Sequence, residues 1–167
     1  SCAVLYGGKI NSRYRKRELP NYSVFDEKRY FTSGGKPCVT NIGGFNIGLS
    51  VCEDIWNPLT AQDLANKGAD VICNINASPF HSDKIDDRKA ALKIAAISSN
   101  LSIMYLNTIG GQDELVFDGG SFVVDKTGTV VGQEESHVET LFLVEIKKDQ
   151  NEILFTAKIN DLPSSEE

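Results

Sequence analysis

The sharpest chemistry in this chain lies in residues 48–56, which read Gly-Leu-Ser-Val-Cys-Glu-Asp-Ile-Trp: an apolar run that delivers a cysteine followed by two acids. A cysteine so placed can attack an electrophilic carbon and form a covalent intermediate. It needs help to do so. The thiolate fraction rises beside a base or a cation, and adjacent Glu53 and Asp54 alone lower it, so a basic or cationic partner has to come from elsewhere in the chain. The backbone N–H that follows the cysteine can point at a developing oxyanion, a role that needs no particular side chain. The ordinary fate of a free cysteine is burial as a small apolar group, and the context of Cys52 has to argue against that.

The surrounding elements put Cys52 at a strand-to-helix crossing, where α/β proteins tend to hold their active sites. Residues 37–42 and 45–51 form a predicted hairpin around Gly43-Gly44. Beyond Cys52, Asn57-Pro58 offers a helix N-cap followed by proline at the first helical position, and residues 58–67 read as a helix stopped by Gly68, with Leu59, Leu64 and Ala65 available for its inner face. Residues 70–76 are nearly all apolar, as expected for a strand buried on both faces, which gives a strand-helix-strand crossover. The polar stretch 76–81 then sits at the carboxyl end of that strand, where ligand-binding loops gather. Ser82 or Asp83 caps a helix running to about Ser99, with Ala91, Leu92, Ala95 and Ala96 on one side.

The rest of the chain frames this unit. Residues 2–6 and 9–16 pair around Gly7-Gly8, leaving Lys16 near a strand end, and residues 18–36 form a long ordered loop studded with aromatic residues. Residues 101–106 are another buried strand, 108–115 a Gly-rich acidic loop, 116–125 and 129–132 strands around the turn 126–128, and 138–146 the last strand. The domain expected is 1–147, followed by a polar segment, 148–167, with little structure apart from 153–159.

Composition narrows the function classes. With 167 residues, 41% of them hydrophobic, the chain supports one domain with a sizeable core. A net charge of −6, with no basic run longer than Arg15-Lys16-Arg17, argues against nucleic acid as the principal partner and favours a small substrate. Four cysteines without a Cys-x-x-Cys pair indicate neither a zinc cluster nor a disulfide framework, and point to the reducing cytoplasm. Two histidines, His81 and His137, do not make a zinc site, and the Gly110-Gly111 and Gly119-Gly120 pairs lack phosphate-loop spacing. No apolar stretch is long enough to span a membrane.

With these elements in place, the chain resembles the carbon–nitrogen hydrolase (nitrilase) superfamily. Within it, the chain resembles the glutamine-hydrolysing domain of glutamine-dependent NAD⁺ synthetases. The match is carried by Tyr14-Arg15-Lys16 with Leu19-Pro20-Asn21-Tyr22 and residues 24–31, by the cysteine motif 48–56, by Asn76-Ala77-Ser78-Pro79, and by residues 110–121, Gly-Gly-Gln-Asp-Glu-Leu-Val-Phe-Asp-Gly-Gly-Ser. The cysteine motif reaches only the superfamily; the lysine segment and the Gly-Gly-Gln-Asp-Glu segment together point to the synthetase branch.

The resemblance implies an incomplete α-β-β-α sandwich and hydrolysis of glutamine to glutamate and ammonia by a Glu-Lys-Cys triad. By that likeness Cys52 is the nucleophile, Lys16 the oxyanion partner and the Glu53 N–H the rest of the hole. Glu27 is a supporting acid that orients the lysine, while Tyr22, Glu53, Ser78 and Lys84 hold the two charged ends of glutamine. The family's general-base glutamate is expected upstream of these residues and is assigned to none of them, so the chain reads as an internal fragment, inactive and marginally stable alone. The glutaminase reaction takes no cofactor or metal. ATP and Mg²⁺ are expected only in a further synthetase domain of the parent chain, whose Ser-Gly-Gly-x-Asp-Ser loop does not occur here. A homo-oligomeric parent is also implied. A stand-alone amidase for another small amide and a non-catalytic module are the competing readings.

Overall fold

The computed structural model describes residues 1–149 and 152–160. The chain opens with a hairpin of β1 (Cys2–Tyr6) and β2 (Lys9–Tyr14), followed by a long loop that contains one short helix, α1 (Glu27–Tyr30). Next come β3 (Cys38–Ile42) and β4 (Phe45–Val51), a 3₁₀ turn over Cys52–Trp56, α2 (Pro58–Asn66) and β5 (Val71–Asn76). The longest helix, α3 (Lys84–Ser99), leads into β6 (Ser102–Asn107). Four short strands follow: β7 (Ile109–Gln112), β8 (Leu115–Asp118), β9 (Phe122–Val124) and β10 (Val130–Gln133). The described chain ends in the antiparallel pair β11 (Leu141–Asp149) and β12 (Glu152–Asn160).

Six strands form the central sheet in the order β10-β9-β6-β5-β4-β3. Three of the four inner strands, β4, β5 and β6, run parallel, with Leu49 level with Cys73 and Cys73 level with Met104. Their side chains alternate between two faces. One face sends Ile72, Ile103, Phe122 and Val124 against Ala61 and Leu64 of α2 and Leu92, Ala95 and Ala96 of α3. The other sends Ile47, Leu49 and Val71 against Tyr14, Cys2 and Val4 of the first hairpin and Ile146 of β11. The layers are therefore helix, sheet and a second β layer, an incomplete α-β-β-α sandwich. Gly48 lets α2 lie close: a Cβ there would meet the Ala69 and Leu64 side chains at 3.2 and 3.3 Å.

Several predicted elements differ in detail. Helix α2 turns Thr60, Ala61 and Leu64 inward, while Leu59 is 61% exposed, because the Asn57 cap and Pro58 fix the helix phase one step away from the apolar count. Residues 108–115 do not stay a loop: β7 and β8 pair as a hairpin. The strand expected over 116–125 is two strands, broken where Gly119 and Gly120 take φ of +62° and +60°. The last expected strand, 138–146, is shifted to Leu141–Asp149, and the apolar stretch 153–159 pairs with it as β12. The polar residues 161–167, like 150 and 151, lie outside the described residues.

Candidate active site

Cys52 directly follows β4 and opens the 3₁₀ turn with φ +50°, the left-handed region that a non-glycine residue enters only when its surroundings compel it. Two neighbours supply that compulsion. The Val51 N–H donates to Asp54 Oδ2 at 2.9 Å, closing the turn over the cysteine. From β5, the Asn74 side-chain amide donates to Ser50 Oγ at 2.8 Å and reaches the Cys52 carbonyl at 3.5 Å. The thiol is thereby set at the carboxyl end of the parallel strands.

Asp54 is the hub that brings Lys16 to this place. Its side chain is fully buried and accepts from the Tyr14 hydroxyl (2.8 Å), the Arg17 N–H (2.9 Å) and the Glu18 N–H (2.8 Å) as well as from Val51. The residues on both sides of Lys16 are thus fastened to the turn that carries Cys52. Gly34 fastens Lys16 from the loop side, its N–H donating to the Lys16 carbonyl at 2.8 Å; a Cβ on Gly34 would collide with the Arg15 carbonyl. The Lys16 side chain is 10% exposed, and its ammonium meets Glu27 Oε1 at 2.6 Å and Oε2 at 2.8 Å. An ammonium has three donors, so two on Glu27 leave one for another acceptor.

The electrostatics of the thiol are a contest. Burial raises the Cys52 pKa most; the Lys16 ammonium lowers it, Glu53 and Glu27 raise it, and the Glu53 backbone N–H lowers it. Burial prevails, and the thiol is held above its ordinary range.

Cys52 opens into a cavity of about 380 Å³ whose walls include Tyr22, Glu53, Trp56, Ser78 and Lys84. The Tyr22 hydroxyl donates to Glu53 Oε1 at 2.7 Å. Burial, followed by that hydrogen bond and the Glu53 charge, pushes Tyr22 up to about 12, so it stays a donor. Lys84, the first residue of α3, holds its ammonium 4.4 Å from the centre of the Trp56 ring. Lys16 and Glu27 do not line this cavity. All the residues singled out in the sequence except that ion pair therefore share one chamber, and the pair acts on the thiol through charge. A larger cavity of about 570 Å³, bounded by β6, β9 and β11, contains none of them.

Ser78 is placed by groups the sequence reading did not single out. Asn107 Oδ1 accepts from the Ser78 N–H at 2.9 Å, and Arg88 Nη2 donates to the Ser78 carbonyl at 2.8 Å. Arg88 is fully buried and grips both Asp118 oxygens at 2.8 and 2.9 Å. Its Nε donates to Ser78 Oγ at 3.3 Å, which fixes the hydroxyl at the chamber wall. A sequence signal existed: Arg88 falls four residues before Leu92 on the inner stripe of α3, and a cation there requires a partner.

The chain matches the family model described as Carbon-nitrogen hydrolase over residues 2–152. The chain belongs to that family. Among curated carbon–nitrogen hydrolase relatives, the glutamine-dependent NAD(+) synthetases of Thermotoga maritima and Acinetobacter baylyi are 43% and 39% identical, each over 90% of this chain. The chain spans 27% and 28% of their lengths. The solved structure of the glutamine-dependent NAD+ synthetase from Acinetobacter baumannii, in complex with ADP, superposes with a TM-score of 0.85 at 36% identity, over 98% of this chain and 31% of that one. An amidase of the same superfamily from Nesterenkonia superposes at 0.68 with 26% identity, over 93% of this chain and 51% of that one. In that structure the acetamide moiety of fluoroacetamide is covalently added at the active-site cysteine.

Proposed function

We propose that this chain carries the glutamine-hydrolysing site of a glutamine-dependent NAD⁺ synthetase. The observation that carries the reading is the chamber itself: a cysteine in a left-handed turn faces a tyrosine-held carboxylate and a ring-held ammonium in one cavity. A ligand with an ammonium and a carboxylate at one end and a reactive amide at the other suits those walls. The Cys52 Sγ attacks the side-chain amide carbon of glutamine, and the C–N bond breaks to release ammonia. The acyl thioester is then hydrolysed by water to glutamate and the free thiol. Negative charge gathers on the amide oxygen before the C–N bond breaks, and the Glu53 N–H, with the positive charge of Lys16 close by, stabilises it. Glu27 fixes the ammonium. Glu53 takes the ligand ammonium; Ser78 and Lys84 take its carboxylate.

The proton-moving glutamate of this mechanism is assigned to no residue here. In the same reading the glutaminase step needs no cofactor. The ammonia passes to a synthetase domain that uses ATP and Mg²⁺, and the whole is a cytoplasmic homo-oligomer. Relatives named as such synthetases at 34–45% identity support the branch.

The test uses the complete gene product with Cys52→Ala. Glutamine-supported NAD⁺ synthesis is expected to vanish while synthesis from free ammonium continues; equal loss of both would sink the proposal. The likeness to the Nesterenkonia amidase favours a second reading, hydrolysis of small neutral amides. That reading requires acetamide to be turned over at least as well as glutamine, whereas the two charged walls favour glutamine.

A further inference from the structure

The chamber beside Cys52 contains opposite charges that do not meet. Glu53 is occupied by the Tyr22 hydroxyl at 2.7 Å. The Lys84 ammonium sits 4.4 Å from the Trp56 ring centre, and among the described residues no carboxylate pairs with it. Both groups line the same cavity of about 380 Å³, and a lysine on a four-carbon stem is free to swing. An ammonium on a flexible stem and a carboxylate in the same cavity attract each other, and a chamber in which they form a contact pair has no charge to offer a ligand.

What keeps them apart is the position and rigidity of the indole. Trp56 closes the same 3₁₀ turn that begins with Cys52 and Glu53, so its backbone is fixed relative to both. Its side chain is partly buried and packs against the helix-side core cluster, so the ring does not follow the ligand. Lys84 is the first residue of a sixteen-residue helix, where the helix dipole disfavours a cation. Asp86 and Asp87 share that first turn as alternative partners, yet the ammonium lies on the ring. The π-face of tryptophan is the strongest aromatic acceptor for a cation, and it holds the charge without neutralising it.

We infer that Trp56 is a specificity-determining residue: it holds the Lys84 ammonium away from Glu53 and presents it to the α-carboxylate of the substrate, so that only ligands bearing that carboxylate gain from the site. This deepens the glutamine reading and rests on it. Tyr22 plays the matching part for Glu53, and the two aromatic side chains keep a zwitterion-shaped pair of charges open.

The experiment alkylates Cys52 with two reagents, in the complete gene product. One is a chloroketone of glutamine's shape; the other is the same chloroketone without its α-carboxylate. In each, the sulfur displaces chloride from the chloromethyl carbon and the thiol proton goes to solvent, and the rate is read from the mass of the Cys52 peptide. Wild type is expected to prefer the carboxylate-bearing reagent at least tenfold. Lys84→Met abolishes the preference, Trp56→Leu lowers it at least fivefold, and Trp56→Phe gives an intermediate value. Trp56→Leu added to Lys84→Met changes the ratio no further.

If Trp56→Leu and Trp56→Phe both keep the wild-type ratio, the inference fails and the glutamine reading stands. If they slow both reagents equally, Trp56 only supports the turn, and the inference again fails. If wild type shows no carboxylate preference at all, or labels Cys52 no faster than Cys2, Cys38 and Cys73, the glutamine reading itself fails and this inference goes with it.

Discussion

At the residue scale, Cys52 is a thiol that its own fold protonates. Burial lifts its pKa, with Glu53 and Glu27 adding to the rise, while Lys16 and the Glu53 N–H pull it down. Alkylation of Cys52 by iodoacetamide in the ligand-free protein is therefore expected to rise with pH only above the range of an ordinary thiol. Lys16→Met removes a cation that acts on the sulfur and moves that profile further upward; an unchanged or downward shift would show that Lys16 does not act on the thiol. The sign carries over to stability. A folded pKa raised above the unfolded one contributes stability that is full below the unfolded thiol pKa and is lost as pH rises through the folded value. Of the residues in this site only Cys52 was legible from its own motif; Lys16, Glu27, Glu53, Tyr22, Ser78 and Lys84 were picked out by the resemblance to the carbon–nitrogen hydrolases, and the fold brings all of them to the chamber or to the ion pair beside it. Asp54 was legible from neither. Adjacency made it look like a second charge opposing the thiol, but the left-handed turn at Cys52 sends its carboxylate into the protein, onto Tyr14 and three backbone N–H groups.

At the element scale, the decisive joint lies between the end of β2 and the turn after β4, which are 40 residues apart in sequence and joined by the Tyr14–Asp54 bond. Tyr14 is 1% exposed, and burial together with the Asp54 charge raises its pKa, so the hydroxyl is a committed donor. Tyr14→Phe leaves one lobe of a buried carboxylate short of a donor and is expected to cost about 1.5–3 kcal/mol, as for hydrogen bonds to charged groups. Urea unfolding measures this loss, and a change under about 0.5 kcal/mol would remove Asp54 from the centre of the joint. Gly34→Ala acts on the same joint from the loop side. The added methyl collides with the Arg15 backbone, so Lys16 is displaced, and the alkylation profile of Cys52 should move in the direction of Lys16→Met. The order of strands and helices was legible because period-two and helical apolar patterns are local. The split at Gly119-Gly120 and the β7–β8 hairpin were not, because both serve a distant demand: Asn107 and Arg88 gather Asp118 and the Gly119 carbonyl around Ser78. A strand continued straight through that point would carry Asp118 away from them.

At the scale of the whole molecule, the two faces of the central sheet are unequally covered. The helix-side cluster is closed, with Ile72, Leu92, Ile103 and Phe122 fully buried. On the other face Val51, Ile75 and Leu106 stand in one row across β4, β5 and β6, and Ile75 and Leu106 remain 40% and 57% exposed. Leu106 also borders the 570 Å³ cavity, whose wall continues through Val138, Leu141 and Leu143, each more than two-fifths exposed. A contiguous apolar band of this kind is not left in water by a stable monomer. The 167-residue chain by itself is therefore expected to associate at tens of micromolar, observable as a dimer or larger species in sedimentation velocity. Ile75→Lys with Leu106→Lys places two cations in the row and should return the population toward monomer, with little effect on helix-side packing because neither residue reaches that cluster. If the wild-type chain sediments as a single monomeric boundary and melts cooperatively, the row is covered from within the chain. If the double variant associates as strongly as wild type, the contact lies elsewhere, and the exposed strands of the first hairpin, where Leu5 and Tyr6 are 71% and 80% exposed, become the surface to alter next.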